Sequence, residues 1–178
     1  MELITQLRCN TMEAFDRLVD LYGDRLYWHI RRLVVRHEEA EDVMQETFIR
    51  AYTSFAEFRG EDERSLVSWL YRIATNLSIN ALRRHRRWIF APIDSVRSDL
   101  LATFEGEIDE SADEVLVRLQ RAILALPTKQ RLVFNMRYYD ELSFEQISEI
   151  TGDSISALKT NYHYAAKRVK SEITTIEI

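Results

Sequence analysis

Apolar residues recur at steps of three and four along nearly the whole chain, and only four glycines and two prolines interrupt them. That period belongs to helices with one buried face, and a chain so poor in turn residues lacks the corners a β sandwich or barrel needs. The expected fold class is all-α. Phe15, Leu18, Val19 and Tyr22, behind Thr11 as N-cap, mark a first helix that Gly23 and Asp24 should break. Leu26, Ile30, Leu33 and Val34 carry a second to about Arg36. Ala40, Val43, Met44, Thr47, Phe48 and Ala51 mark a third from about Glu38 to Phe55. After the charged loop 58–64, a fourth helix from Ser65 to Trp88 points Leu66, Trp69, Leu70, Ile73, Leu77 and Ala81 inward. Each pattern is too one-sided for a helix that stands alone, so the four should pack as one domain.

Charge marks where that domain ends. From Pro92 to Glu114 eight acids stand against Arg97 alone, a local −7 that leaves +2 for the rest of a chain whose net charge is −5. The stretch up to Glu110 shows no helical period, and self-repelling acids favour an extended, flexible linker. Order should resume at a capping box, Ser111-x-x-Glu114, followed by Val115, Leu116, Leu119, Ala122, Ile123 and Leu126 as an apolar stripe. Pro127 ends that helix, and Thr128 should cap the next, which buries Leu132, Val133, Met136 and Tyr139. A second capping box, Ser143-x-x-Gln146, opens a short helix through Ile147 and Ile150. The turn Thr151-Gly152-Asp153 leads to a last helix from about Ser154 to Ile173, over Leu158, Tyr162, Ala165 and Val169. The expected organisation is one domain over 1–88, an acidic linker over 89–110 and a second domain over 111–178.

Two faces of the first domain carry candidate chemistry. If Trp69 is core, then Tyr71, Arg72, Asn76, Asn80, Arg83 and Arg84 are left outside, followed by His85, Arg86 and Arg87. From Trp69 to Trp88 five arginines meet no Asp or Glu. Cations for phosphates, a ring for stacking and amides for base edges suit a single-stranded nucleic acid, although a solvated basic helix end is the plainer alternative. On the third helix Glu38, Glu41, Asp42, Gln45 and Glu46 crowd one half at spacings where like charges repel by about 0.2–0.5 kcal/mol per pair. A di-metal carboxylate site needs Glu-x-x-His on two helices, and that motif does not occur. A docking surface for a basic partner remains, beside the plainer placement of acids near a helix N-terminus.

The four histidines, His29, His37, His85 and His163, are scattered, no glycine-rich phosphate loop occurs, and Cys9 has no second cysteine to pair with. Neither catalysis nor a metal or cofactor is expected. No apolar run reaches the ~18 residues of a membrane span, and MELITQLRCN lacks the layout of a signal peptide. A cytoplasmic protein without membrane insertion is therefore expected. In the second domain a short helix, a Gly-containing turn and a longer helix that exposes Ser156, Lys159, Thr160, His163 and Lys167 have the form of a helix-turn-helix, a pattern that also serves as a plain packing unit.

Four blocks extend this reading: residues 40–52 (AEDVMQETFIRAY), Phe58-Arg59-Gly60 with 69–80 (WLYRIATNLSIN), 126–148 (LPTKQRLVFNMRYYDELSFEQIS), and Gly152 to Arg168. In order and spacing they resemble the extracytoplasmic function sigma factors, small two-domain bacterial transcription initiation subunits. The resemblance implies a sigma factor that binds core RNA polymerase and directs promoter-specific initiation. It implies docking of the third helix on the clamp helices of the largest subunit through Asp42, Gln45, Glu46 and Phe48, with the polymerase flap as a further contact. The fourth helix and its preceding loop would melt the minus-ten element and hold its unpaired strand. The helix-turn-helix would read the duplex minus-thirty-five element with Arg137, Lys159, Thr160, His163 and Tyr164, beside Ser156 and Lys167. Core polymerase and promoter DNA are the implied partners, and an anti-sigma factor is a further candidate. Some positions depart from the family: Gly60 stands farther from Trp69 than usual, Leu66 replaces a ring, and Asn161, Tyr164 and Ala166 stand where many members have arginine. Ser148 and Asp153 replace a usual Ala and a usual apolar residue. The alternative is a helix-turn-helix repressor or activator that acts without core polymerase and needs neither face of the first domain.

Overall fold

The structure, a computed structural model, describes residues 2–9, 12–89, 93–106 and 113–174, with their side chains except those of 2 and 85–99. Among these residues every regular element is helical: α1 (Glu2–Arg8), α2 (Met12–Val34), α3 (His37–Ser54), a 3-10 turn (Phe55–Glu57), α4 (Glu63–Ile89), α5 (Ile93–Gly106), α6 (Glu114–Leu124), α7 (Thr128–Tyr138), α8 (Phe144–Thr151) and α9 (Ile155–Thr174). The chain falls into two compact units, residues 1–83 with 149–151 and residues 84–148 with 152–178.

In the first unit α2 runs unbroken through Gly23 and Asp24, where a break was expected. Gly23 is buried, and a Cβ there would make ordinary contact with Met44 Cε on α3, at 3.5 Å. A glycine inside a helix costs about 1 kcal/mol, which the packing of α2 on α3 outweighs. Thr11, the expected cap, lies outside the described residues. Leu18, Leu26 and Ile30 of α2 and Ala40, Val43 and Ala51 of α3 are buried, as are Leu66, Leu70, Ala74, Leu77 and Ala81 of α4. Ile4 and Leu7 add α1 to this core. Between α2 and α3 Val35 takes φ 69, strained for a β-branched residue, while its side chain is buried.

In the second unit α5 occupies most of the stretch expected to be a flexible linker. The charge count over 92–114 was misleading, because its acids concentrate after Phe104. Within 93–106, Ile93, Val96, Leu100 and Phe104 follow at steps of three and four. Leu100 is buried, and Glu105 Oε1 lies 3.4 Å from Arg121 Nε on α6. Ser111 lies outside the described residues. Asp113 caps α6 in its place, its carboxylate accepting from the Val115 and Leu116 amides at 2.8 and 3.4 Å. Val115 and Leu116, expected in the stripe, are exposed on the first turn. Pro127, not Thr128, is the N-cap of α7. The expected capping box of α8 forms in both directions, Ser143 N to Gln146 Oε1 at 3.0 Å and Gln146 N to Ser143 Oγ at 3.2 Å. Ala122, Ile123, Leu126, Phe134, Ala165 and Val169 make the core of this unit, with Leu119, Tyr139 and Tyr162 packed against it.

Candidate nucleic-acid interface

Along α4, Arg72, Asn76, Asn80, Arg83 and Arg84 are exposed and follow at steps of four, four, three and one, so they form a strip on one side of the helix. Tyr71, expected on that strip, is instead 1% exposed, its ring edge-on to His29 at 4.8 Å. The buried arc of α4 is shifted because three small hydroxyl residues join it: Ser68, Thr75 and Ser78 are all buried. Ser78 Oγ donates to Ala74 O at 2.8 Å, and Thr75 Oγ1 lies 3.0 Å from His29 Nε2. Hydroxyls satisfied in this way lose little by burial. Trp69 is thereby moved to the edge, half-buried, with its ring 5.9 Å from Phe55 and 5.2 Å from Phe58. The side chains of His85, Arg86 and Arg87 lie outside those described.

The loop entering α4 is held at several points. A Cβ on Gly60 would lie 2.4 Å from Phe58 Cζ and 2.6 Å from Ser65 Cβ, so only glycine fits there. Arg8 Nη2 donates to Gly60 O at 3.1 Å. Asp62 Oδ1 accepts from Ser65 N at 2.7 Å and caps α4, and the hydrogen bonds from Ser65 hold the Asp62 carboxyl below its usual pKa. Tyr22 OH donates to Glu63 Oε1 at 2.9 Å, and burial together with that carboxylate pushes the phenol up to about 12. A cleft of about 700 Å³ beside the loop has Tyr52, Phe55, Phe58, Arg8 and Arg59 among its walls.

On α3 Asp42 and Gln45 are exposed and Glu46 is half-exposed, its carboxylate 2.7 Å from Arg50 Nε. Phe48 differs from the expected contact set. It is buried, edge-to-face with Phe15 at 6.2 Å, because it falls on the inward stripe of Ala40, Val43, Thr47 and Ala51. It supports the face from beneath. Sequence reasoning missed Ile49 and Tyr52, exposed at 58% and 41% and four and seven residues on from Gln45. Apolar letters outside the stripe were the available signal.

In the second unit Ser156, Lys159, Thr160, His163 and Lys167 are exposed along α9, with Tyr164 on the neighbouring row. Arg137 of α7 is exposed and converges with Lys159 on the Phe144 ring, at 5.6 and 5.9 Å from its centroid. Arg137 Nη1 also donates to Leu142 O at 3.3 Å. The aromatic ring thus gathers two cations from different helices beside the exposed start of α9. Among the described residues no group of His, Cys, Asp and Glu is placed to hold a metal ion, and no helix is long and apolar enough to cross a membrane.

The family description Sigma-70 region 2 matches residues 18–88, and Sigma-70, region 4 matches residues 116–169. The chain is 33% identical over 178 residues to the ECF RNA polymerase sigma factor SigW of Bacillus subtilis, covering 96% of this chain and 94% of that protein. It is 31% identical to the RNA polymerase sigma-H factor of Pseudomonas aeruginosa, over 94% of this chain and 90% of the relative. In fold it is similar to the sigma factor RpoE of Bartonella quintana, solved in complex with the anti-sigma factor NepR, with a TM-score of 0.70 at 19% identity over 94% of this chain and 100% of that one. Two sigma-70 regions in order, and a relative one third identical across nearly the full length of both proteins, make this chain a member of the extracytoplasmic function sigma factors of RNA polymerase.

Proposed function

We propose that this sigma factor docks on core RNA polymerase through the face of α3 bearing Asp42, Gln45 and Glu46, opens the minus-ten element with α4 and its entry loop, and reads the upstream duplex with α9. Residues 1–88 carry the first two tasks and 111–178 the third. The observation that carries this reading is the strip Arg72, Asn76, Asn80, Arg83 and Arg84, exposed on a helix that is otherwise deeply packed. Arginines hold phosphates, and amides one turn apart can meet the edge of an unpaired base. The cleft beside Phe58 and Arg59 offers rings and cations to the same strand. The protein acts in the cytoplasm, where polymerase and promoter are, and it contributes binding energy rather than a catalytic group. An anti-sigma factor joins the proposed partners, as NepR does for RpoE.

Docking is tested by replacing Asp42 and Glu46 with Lys. Co-purification with core polymerase should be lost while thermal stability moves by less than ~0.5 kcal/mol, as for most exposed substitutions. A doubly substituted protein that still retains polymerase would refute the assignment of this face.

A further inference from the structure

The turn between α8 and α9 is tied by side chains that take no part in the contacts above. Ser148 Oγ donates to the backbone carbonyl of Asp153 at 2.8 Å, and the Ser148 carbonyl accepts from Gly152 N at 2.8 Å. Gly152, at φ 77, makes this reversal without steric strain. The Asp153 carboxylate receives Lys129 Nζ from the first turn of α7, at 3.1 and 3.5 Å to its two oxygens. Ser154 Oγ then accepts from Ala157 N at 3.3 Å, which caps α9. These ties meet on residues 152–154, the segment that decides where α9 begins and how it is pitched.

Resting on the duplex reading by α9 set out above, we propose that Ser148, Asp153 and Lys129 form a specificity-determining brace. It fixes the pitch at which Ser156, Lys159, Thr160 and His163 meet the bases, and it holds Lys129 on a carboxylate instead of on a backbone phosphate. A phosphate contact strengthens binding to every sequence alike, whereas base contacts depend on orientation. The Lys129 side chain is 72% exposed, so its ion pair adds little stability, and its effect is to restrain a cation that would otherwise bind any duplex. The partly buried Ser148 bond supplies the orientation.

The test uses the full chain in holoenzyme and two labelled duplexes, one selected by the parental holoenzyme from a randomised upstream pool and one a scrambled version of it. Asp153→Ala should tighten binding to the scrambled duplex about threefold by releasing a cation and removing an anion, and so lower the selected-to-scrambled ratio. Ser148→Ala should leave scrambled binding unchanged and lower the ratio about fivefold, the factor that corresponds to one lost hydrogen bond. Asp153→Glu, which keeps the ion pair, should preserve the ratio. If Ser148→Ala and Asp153→Ala both keep the parental ratio, the brace is overturned. Equal weakening of both duplexes by Lys129→Ala would make Lys129 a phosphate contact and overturn its place in the brace. A parental protein that does not distinguish the duplexes would instead overturn the reading by α9.

Discussion

The two helices assigned to DNA are embedded to very different depths. α4 buries Leu66, Val67, Ser68, Leu70, Tyr71, Ala74, Thr75, Leu77, Ser78 and Ala81, whereas α9 buries only Leu158, Ala165 and Val169. The difference matches the work proposed for each. Opening a base step requires a few kcal/mol, and a helix that yields under that load would return the strand to its duplex. A helix that reads an intact groove meets no such load and needs only a well-presented face. On the proposed roles, similar polar letters on two helices would serve a rigid wedge in one case and a lightly supported probe in the other.

The strongest way to break this contrast is Tyr71→Ala. Removing a fully buried ring should destabilise the first unit by about 3–5 kcal/mol in urea denaturation. A variant that is as stable as the parent but fails to open promoter DNA would return Tyr71 to the DNA face. Gly60→Ala comes next. The clash with Phe58 and Ser65 should lower stability by roughly 1–3 kcal/mol, while Gly106→Ala, where a Cβ meets nothing within 4 Å, serves as a neutral control. Equal melting temperatures for the two variants would contradict the tight loop.

Tyr22→Phe probes the anchor of α4 and should remove about 1–2 kcal/mol through the lost bond to Glu63. The pH dependence has a definite sign. The fold raises the Tyr22 pKa from 10.0 to about 12, so this contribution is complete below the unfolded value and is lost as pH rises from 10.0 through about 12. Denaturation across that window should show a steeper loss of stability with rising pH in the parent than in Tyr22→Phe. The smallest effect on stability belongs to the exposed strip. Asn76→Ala with Asn80→Ala should shift it by less than ~0.5 kcal/mol and leave duplex binding intact, yet lower the open-complex yield in a permanganate footprint. Normal melting by that double variant would make α4 a scaffold only.

Ser143-x-x-Gln146 and the Gly152 turn were legible in the sequence because cap and turn chemistry is local, closed by atoms within a few residues. The exposed positions of α9 were legible because its buried stripe is purely apolar. Tyr71 was not, because Thr75 and Ser78 read as polar until their partners are known, and Ser68 reads as polar although it is buried. One of those partners, His29, lies 46 residues away from Thr75. Phe48 enters the docking set through family likeness alone, and its place on the apolar stripe is the one that matches its burial. α5 was hidden by a charge count over too wide a window. The exposure of the α3 acids and of the arginine strip needed no tertiary knowledge, since charge is exposed by default.

One consequence of the aromatic cluster under the entry loop is optical. The chain has three tryptophans, and Trp69 lies 5.2 Å from the Phe58 ring, whereas Trp28 is exposed on α2. With Trp28 and Trp88 changed to Phe, all indole emission of the free chain would come from the foot of that loop. Any displacement of Phe58 would then change the solvent exposure, and so the emission maximum, of a single native fluorophore, and binding of a single-stranded minus-ten oligonucleotide to the free chain could be followed with no dye on protein or DNA.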